Sequence, residues 1–209
     1  MRSPEVVEKA IRCFQAQTYG PKELVVLRSG PDAECPLSSV EDWNHNEHCF
    51  HVPLGLSIGE LRNVAIRESR GSVIAHFDDD DWSHPDRLAR SMELIDAGDE
   101  LVGSSRVIFT DGTRRWLYDG YAAAPYAHPT GEKVGPRYVG GTLVYRRRLW
   151  EGQPFDDVMM GEDTRFMAHH YYARVANLND ESLYVARISD DNTSVKDTTS
   201  AGWTLLGGE

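Results

Sequence analysis

The sequence is poor in cysteine and has no long apolar run. Its three cysteines, Cys13, Cys35 and Cys49, cannot all pair into disulfides, as is common in proteins of reducing compartments. No segment approaches the roughly 20 consecutive apolar residues that a membrane-spanning helix needs. The first residues, Met1–Pro4, lack the apolar stretch of a secretory signal. We therefore expect a cytoplasmic protein without a membrane span.

Positive charge is also scarce. The chain has 22 lysines and arginines against 33 aspartates and glutamates, a formal net charge of -11. Such a charge repels phosphate backbones and disfavours stable binding to duplex nucleic acid. The densest basic run, Arg146–Arg148, is interpreted as a strand end with solvated side chains. The acidity makes a divalent cation an attractive partner wherever carboxylates converge.

The first half of the chain alternates between helical and strand patterns. At 209 residues, the chain is long enough for one well-cored domain but short for two. Helix signals begin at Pro4, at the Ser57/Glu60 capping box and after Pro85. The predicted strands are 23–27 and 72–77, and 31–49 is expected to be irregular loop. This alternation predicts an α/β fold with a mostly parallel sheet flanked by helices.

The second half changes character. Strands are predicted near 101–109, 114–118, 141–146, 174–178 and 183–188, with a helix near 163–172. We therefore expect one domain over residues 1–209 with two unequal halves, 1–98 and a smaller mixed half 99–196, followed by a tail, 197–209.

Four consecutive aspartates, Asp78–Asp81, directly follow the apolar run 72–77. Ligands of open α/β sheets bind beyond the carboxyl ends of the strands, where this cluster lies. Adjacent carboxylates repel one another unless a cation compensates, and oxygen ligands suit Mg²⁺ or Mn²⁺. The alternative is that Asp81 or Asp86 caps the next helix, but one cap needs only one side chain. The pattern therefore favours a metal site that offsets the charge of a phosphate-containing substrate.

Several segments together resemble the family 2 glycosyltransferases, which have the GT-A fold. They occur in the family's order and span about residues 5–196. The matching segments are IRCFQAQTYGPKELVVL, LSIGELRNVAIRESRGSVIAHFDDDDWSHPDRL, GGTLVYRRRLW, PFDDVMMGEDTRFM and YVARISDDNTS. The resemblance implies a glycosyltransferase that takes a sugar from a nucleotide-sugar donor and passes it to a carbohydrate or other hydroxyl acceptor. Residues 1–98 would then bind the donor, and 99–196 the acceptor.

The resemblance also implies roles for residues of the aspartate cluster. Asp78 and Asp80 match the two ends of the family's Asp-x-Asp metal motif, with Mn²⁺ or Mg²⁺ as the cofactor. Asp81 would belong to the metal shell or contact the donor sugar. Asp78 and Asp79 are also expected beside the bound donor.

Further roles follow from the same resemblance. Arg62 and Asn63 match an Arg-Asn pair, with the arginine near the nucleotide or its phosphates. Asp163 matches the general base, and Glu162 would orient the acceptor. Inverting transfer needs such a carboxylate to take the proton of the acceptor hydroxyl opposite the leaving group. The alternative for Glu162 and Asp163 is stabilisation of a helix N-terminus.

Three features depart from the family pattern. The chain opens on a helix where the family opens on a strand. Either this form is shortened, or another segment fills that place, such as the C-terminal tail or a partner chain, including a second copy in a homo-oligomer. Arg28 stands where the family has an aspartate that contacts the base, so we expect Arg28 to bind a phosphate instead. Ser189 stands where a histidine often completes the metal site, and Asp190 and Asp191 are the neighbouring oxygen donors.

Other functions remain open at this level. The departures are compatible with a catalytically impaired nucleotide- or sugar-binding module, and the aspartates with a metal-dependent nucleotidyltransferase. A zinc site has little support, because its candidate ligands fit no closed four-ligand spacing; they are Cys35, His45, His48, Cys49 and His51.

Overall fold

The fold is that of a computed structural model, which describes residues 4–29, 46–123, 137–190 and 192–208. Six helices lie in these ranges: α1 (Pro4–Gln15), α2 (Ile58–Glu68), α3 (Arg87–Asp96), α4 (Gly120–Ala123), α5 (Arg147–Gly152) and α6 (Glu162–His169). Two 3₁₀ segments, Gly140–Thr142 and Glu181–Leu183, complete the helical structure described there.

The strands are short and form three sheets. They are β1 (Leu24–Ser29), β2 (Glu47–Val52), β3 (Val73–Ala75), β4 (Trp82–Ser83), β5 (Leu101–Gly103), β6 (Val107–Thr110), β7 (Arg114–Tyr118), β8 (Val144–Arg146), β9 (Val175–Asn177), β10 (Tyr184–Arg187) and β11 (Trp203–Gly208). The sheet orders are β1-β2, β3-β8-β5-β9 and β11-β7-β6-β10-β4. The second and third sheets each combine strands from both halves of the chain.

The sheets are mixed, which refines the expectation of a mostly parallel sheet. Parallel pairing joins β1 to β2, β5 to β9 and β6 to β10. Strand β8 runs antiparallel to both of its neighbours, β3 and β5. Because β8 lies antiparallel between β3 and β5, the carboxyl end of β3 faces the 3₁₀ turn that precedes β8. This arrangement brings distant segments together at one place.

Local sequence signals account for the helices that frame this place. Ser57 caps α2, since its side chain accepts from the N–H of Glu60 while the Glu60 carboxylate accepts from the N–H of Ser57. The other end of α2 is held by Arg147, whose guanidinium donates to the carbonyls of Ile66, Ser69 and Gly71 at 2.7–2.9 Å. Both ends of α2 therefore have hydrogen-bond partners, and Arg147 ties its C-terminal end to α5.

The core beneath the site is aromatic. The rings of Tyr145, Phe155 and Phe166 are buried, and Phe155 stacks on Phe166 with centroids 4.2 Å apart. His76 packs against this group, 5.4 Å from Tyr145 and 5.6 Å from Phe155 between ring centroids. Burying such rings contributes about 2–3 kcal/mol each. The cluster therefore anchors both the end of β3 and helix α6.

Several sequence predictions need correction. Part of the predicted loop 31–49 forms strand β2, which extends to Val52; residues 30–45 lie outside the described ranges. The predicted strand near 101–109 is two strands, β5 and β6, in different sheets. The tail contains β11, which pairs with β7 at the edge of its sheet. The place of the first family strand stays a prediction.

The side chains of the basic run Arg146–Arg148 make contacts within the protein. Arg146 donates to the carbonyl of Ile95 at 2.8 Å, and Arg148 pairs with Glu100 at 2.6 Å. Together with the capping role of Arg147, these contacts show that the arginines are engaged within the protein, whereas the sequence predicted solvated side chains at a strand end. Throughout the described ranges, we find no helix that is both long and apolar enough to cross a bilayer.

Candidate functional site

A forked arginine connects the aspartate cluster to the start of helix α6. Arg62 lies on α2, and its Nε donates to Glu162 Oε1 at 3.1 Å. Its Nη2 lies 3.7 Å from Asp78 Oδ1. Burial would lower the pKa of Arg62, but Asp78, Glu162 and Asp163 together outweigh burial and raise it. The guanidinium is therefore a fixed cation between two acidic segments of the chain.

His76 supports Arg62 from below. Its Nδ1 lies 3.0 Å from Arg62 Nη1 and 2.9 Å from the carbonyl oxygen of Gly140, and its Nε2 lies 3.1 Å from Tyr145 Oη. Burial lowers the pKa of His76 well below its usual range, and the neighbouring charge of Arg62 adds to this effect. The ring is therefore neutral, and it joins the arginine to the aromatic core without adding charge.

Two adjacent glycines let the two acidic segments approach the same stretch of backbone. A Cβ at Gly140 would overlap Asp163 Oδ2, and a Cβ at Gly141 would lie 2.7 Å from Asp78 Oδ2 and overlap the hydroxyl of Tyr184. A residue with a side chain could not occupy either position without displacing these groups. Asp78 and Asp163 therefore both approach the Gly140–Gly141 backbone closely, although they are far apart in the sequence.

Asp81 is held by the C-terminal half of the chain. The hydroxyl of Tyr184 donates to Asp81 Oδ2, and the N–H of Arg187 donates to Asp81 Oδ1 at 2.7 Å. Burial, followed by the charge of Asp78, raises the pKa of Asp81 to about 7. This carboxyl group therefore changes its charge near neutral pH unless a cation stabilises the ionised form.

A fully buried arginine lies behind the cluster. Arg87 donates to the carbonyls of His76 and Gly141 at 2.8 and 3.2 Å, and its guanidinium lies 4.2 Å from the ring centre of Phe77. Burial lowers the pKa of Arg87 to about 10, so the group stays charged at neutral pH. It ties the segment after β3 to the glycine pair and supplies positive charge behind the aspartates.

Glu162 and Asp163 open helix α6 directly after Gly161, which has a left-handed φ of 76°. Asp163 Oδ1 accepts from the N–H of Thr164 at 2.6 Å. Burial raises the pKa of Glu162 against the opposing effect of Arg62. Both acidic residues lie where a helix dipole favours negative charge, and both also interact with Arg62, which pairs with Asp78. The helix-terminus interpretation and the functional one are thus compatible.

The remaining predicted site residues have different surroundings. Asn63 uses its amide to hold the backbone of Phe155 and the indole of Trp150, so we assign it to positioning this segment rather than to contacting a donor. Asp79 is exposed and Asp80 is half-buried. Arg28 lies in β1, opposite His51 in the register. Its Nη1 is buried and makes no hydrogen bond to the part of the chain that the structure describes.

Sequence reasoning missed several residues that shape the site. Gly140, Gly141, His76 and Tyr184 were not singled out, although a glycine pair directly before a strand was a usable signal of close approach. Lys196 was missed as well, and no local pattern marks it. Its side chain is half-buried, and burial lowers the pKa of Lys196 against the opposing charges of Asp163, Asp81 and Asp78.

A metal ion would need ligands from outside the part of the chain that the structure describes. Among residues 4–29, 46–123, 137–190 and 192–208, no group of three or more His, Cys, Asp or Glu side chains is arranged to hold one. This holds for the described zinc candidates and for the aspartates alike; Cys35 and His45 lie outside these ranges, as does Asp191. The carboxylates fit only a cation that takes one or two protein oxygens and completes its shell with phosphate and water, as Mg²⁺ commonly does.

Comparisons with known proteins agree with this architecture. A family model described as Glycosyl transferase family 2 matches residues 2–152. EpsH of Bacillus subtilis (strain 168), named as a glycosyltransferase, is 23% identical over 198 residues, which cover 87% of this chain and 57% of EpsH.

Solved structures of S. aureus TarS share the fold. One has a TM-score of 0.65 at 18% identity and covers 90% of this chain and 58% of TarS. The complex of TarS with UDP-GlcNAc has a TM-score of 0.65 at 19% identity and covers 88% and 55%. These matches confirm the expected α/β fold of the GT-A type. The chain spans a little over half the length of each of these relatives.

Proposed function

This chain belongs to glycosyl transferase family 2, and from that premise we propose that it transfers a sugar from a nucleotide diphosphate-sugar to a hydroxyl acceptor, with inversion at the sugar carbon. The acceptor is a carbohydrate or another hydroxyl compound. The observation that carries the proposal is the contact of Arg62 with Asp78 on one side and Glu162 on the other. It joins a donor-side motif to the acceptor-side acids in one site.

In this proposal the aspartate cluster and Arg62 bind the diphosphate group of the donor. TarS, a structural neighbour, has been solved with UDP and with UDP-GlcNAc, which supports a nucleotide-sugar donor here. We propose that Asp78 and Asp80, with Asp81 nearby, hold Mn²⁺ or Mg²⁺ together with the donor's phosphates. The bound cation would supply positive charge that offsets the charge of the departing diphosphate. Arg62 lies beside Asp78 and binds and orients the donor from the protein side.

The acceptor side provides the base. In this proposal Asp163 takes the proton of the acceptor hydroxyl, which attacks the sugar carbon from the face opposite the diphosphate. The sugar–diphosphate bond breaks as the new glycosidic bond forms. Glu162 is paired with Arg62 at 3.1 Å and orients the acceptor. The close approach of Asp163 to Gly140 and of Asp78 to Gly141 supports placing base and donor on either side of one small space.

Two other functions make different predictions. A nucleotide-binding module without turnover is favoured by Arg28, which stands where the family has an acidic residue. A nucleotidyltransferase would use the same aspartates on a nucleoside triphosphate and release pyrophosphate. Release of a nucleoside diphosphate from a nucleotide-sugar distinguishes the proposed transfer from both.

Isothermal titration with UDP, GDP, ADP and dTDP, with and without Mn²⁺, tests donor binding. A panel of nucleotide-sugars, read by released nucleoside diphosphate, then tests turnover. We expect at least one diphosphate to bind more tightly with Mn²⁺ and the matching nucleotide-sugar to be hydrolysed slowly even without an acceptor. Absence of binding by all four diphosphates contradicts the proposal. Binding without any release favours the module.

A further inference from the structure

Each nitrogen of the Arg62 guanidinium faces a different partner. Nε donates to Glu162 Oε1 at 3.1 Å, Nη2 lies 3.7 Å from Asp78 Oδ1, and Nη1 lies 3.0 Å from His76 Nδ1. Two of these partners are carboxylates, but the third is the ring of a histidine with only 6% of its surface exposed. A buried charged N–H needs an acceptor, so the chemical form of His76 bears directly on where Arg62 can lie.

His76 is held in place by its backbone and by its ring. Its N–H donates to the carbonyl of Leu143 at 2.9 Å, and its carbonyl accepts from Arg87 Nη2 at 2.8 Å. The ring Nε2 lies 3.1 Å from Tyr145 Oη in the aromatic core. The ring therefore presents Nδ1 to Arg62 at a fixed position.

The Nδ1 atom of His76 faces two groups that require opposite roles of it. Besides Arg62 Nη1, it lies 2.9 Å from the carbonyl oxygen of Gly140. A neutral imidazole nitrogen is either a donor or an acceptor, so it can accept from Arg62 or donate to Gly140, but not both. The Gly140 oxygen already accepts from the N–H of Leu143 at 3.2 Å, whereas a hydrogen bond from a charged guanidinium is about twice as strong as a neutral one. The contact with Arg62 is therefore the favoured one.

We propose that His76 is a positioning residue of the transfer reaction: as the Nε2–H tautomer, it accepts from Arg62 through Nδ1 and fixes the guanidinium between the two acidic segments. Its Nε2–H then donates to Tyr145 Oη. The inference rests on the proposed function, because Arg62 is there assigned to binding and orienting the donor. Without an acceptor at Nδ1, the guanidinium keeps its charge but loses one of its three partners, so it would hold the donor in a less defined orientation.

¹⁵N NMR of the nucleotide-free protein, labelled in histidine, tests the tautomer directly. We expect the His76 signals to show a protonated Nε2 and an unprotonated Nδ1. The spectrum of His76→Asn, which lacks these signals, assigns them. A proton on Nδ1, with or without one on Nε2, overturns the inference. Because no nucleotide is present, this result does not depend on whether the protein transfers a sugar.

Substitutions of His76 separate positioning from packing. The amide oxygen of His76→Asn can replace Nδ1 as an acceptor, His76→Gln places its amide nearer to Tyr145, and His76→Phe keeps a ring without any acceptor. We expect kcat/KM for the best nucleotide-sugar to fall by about ten- to a hundredfold in His76→Phe and His76→Gln. Most of this loss should be recovered in His76→Asn, and the affinity for the nucleoside diphosphate should follow the same order.

His170 provides the matched control, because it is also buried and its ring nitrogens lie 3.2 Å from Tyr172 Oη and from the carbonyl oxygen of Gln153. His170→Phe should lower the free energy of unfolding in urea, as His76→Phe does, but keep kcat/KM near the wild-type value. Equal activity of His76→Asn and His76→Gln, or activities that only follow the stability of each variant, overturns the inference. Absence of diphosphate binding or of sugar release by wild type contradicts the proposed function instead, and the tautomer then still decides the contact with Arg62.

Discussion

Arg62 Nε donates to Glu162 Oε1 at 3.1 Å, although the two residues are 100 positions apart in the sequence. The same guanidinium reaches Asp78 and the ring of His76. One side chain thus links Asp78, on the proposed donor side, to Glu162, on the proposed acceptor side. The contact therefore holds two segments that are distant in the sequence beside one another.

Arg62→Lys should impair the enzyme although it conserves charge. A lysine ammonium cannot reproduce the planar fork that reaches Glu162 and Asp78 at once. Loss of one charged hydrogen bond costs about 1.5–3 kcal/mol, which corresponds to a decrease in kcat/KM of about ten- to a hundredfold. Steady-state kinetics with the best nucleotide-sugar measure this effect. Arg67→Lys, at an exposed position of the same helix, is the control, and equal activity of the two variants would contradict the assigned role.

Asp163→Asn should remove the proton acceptor and leave the donor site intact. General-base catalysis contributes about 10²–10⁴-fold, so kcat should fall by that factor while the affinity for the nucleoside diphosphate stays unchanged. Asp157→Asn changes an exposed aspartate that precedes the same helix and should behave like wild type. Retention of full kcat in Asp163→Asn would rule out Asp163 as the base.

Gly140→Ala tests the close approach of Asp163 to the backbone. The added Cβ would overlap the Asp163 carboxylate, which must either move or strain the chain by about 1–3 kcal/mol. We expect kcat to fall with a smaller change in donor affinity, because Asp78 lies against Gly141 instead. Gly152→Ala is a matched control, since no atom lies within 4 Å of its added Cβ. A fully active Gly140→Ala enzyme would show that Asp163 is not used at this position.

Acid should destabilise the protein through Glu23, outside the site. Burial alone would raise the pKa of Glu23, but hydrogen bonds from the N–H groups of Arg70 and Gly71, at 2.5 and 2.6 Å, hold it below its usual value. A lowered folded-state pKa contributes stability that is present above about pH 4.5 and lost as the pH falls through the folded-state value.

Urea unfolding at pH 6 and pH 3.5 measures this loss. Glu23→Gln should be less stable than wild type at pH 6 and should lose less free energy of unfolding between the two pH values. Glu68→Gln, at an exposed position near the end of α2, should keep the wild-type pH dependence. Identical pH profiles for wild type and Glu23→Gln would contradict the predicted contribution of Glu23.

The sequence predicted what depends on neighbouring residues. The Ser57/Glu60 capping box, the apolar run before Asp78 and the helix that starts near Glu162 all carry local signals, and the structure contains each of them. The pairing of distant strands is not encoded in short stretches of sequence. The antiparallel insertion of β8 between β3 and β5 was therefore not predicted. Strand β2 was missed because its residues, EHCFHV, mix polar and apolar side chains without a sharp period.

The residues of the site divide in the same way, into those that a local motif predicts and those that only the tertiary structure reveals. The acidic residues could be proposed from motifs, since carboxylates in a row have few structural explanations. Their partners could not, because Tyr184 reads as an ordinary strand residue and Lys196 as one lysine in a polar segment. The amide of Asn63 resembled a donor ligand by its place beside Arg62, but tertiary packing uses it to hold the 150–155 segment.

The hydrogen bond from Tyr184 to Asp81 has a consequence for anyone who wishes to recombine this protein. The family match ends at residue 152. Beyond it lie Tyr184, which donates the hydrogen bond to Asp81, the acidic pair of α6, and Lys196. A chimera joined at residue 152 would contain Asp78–Asp81 of this protein, but a strand of the other protein would replace the one that carries Tyr184. Swaps intended to change donor preference should therefore carry the stretch through residue 196 along with the first 152 residues.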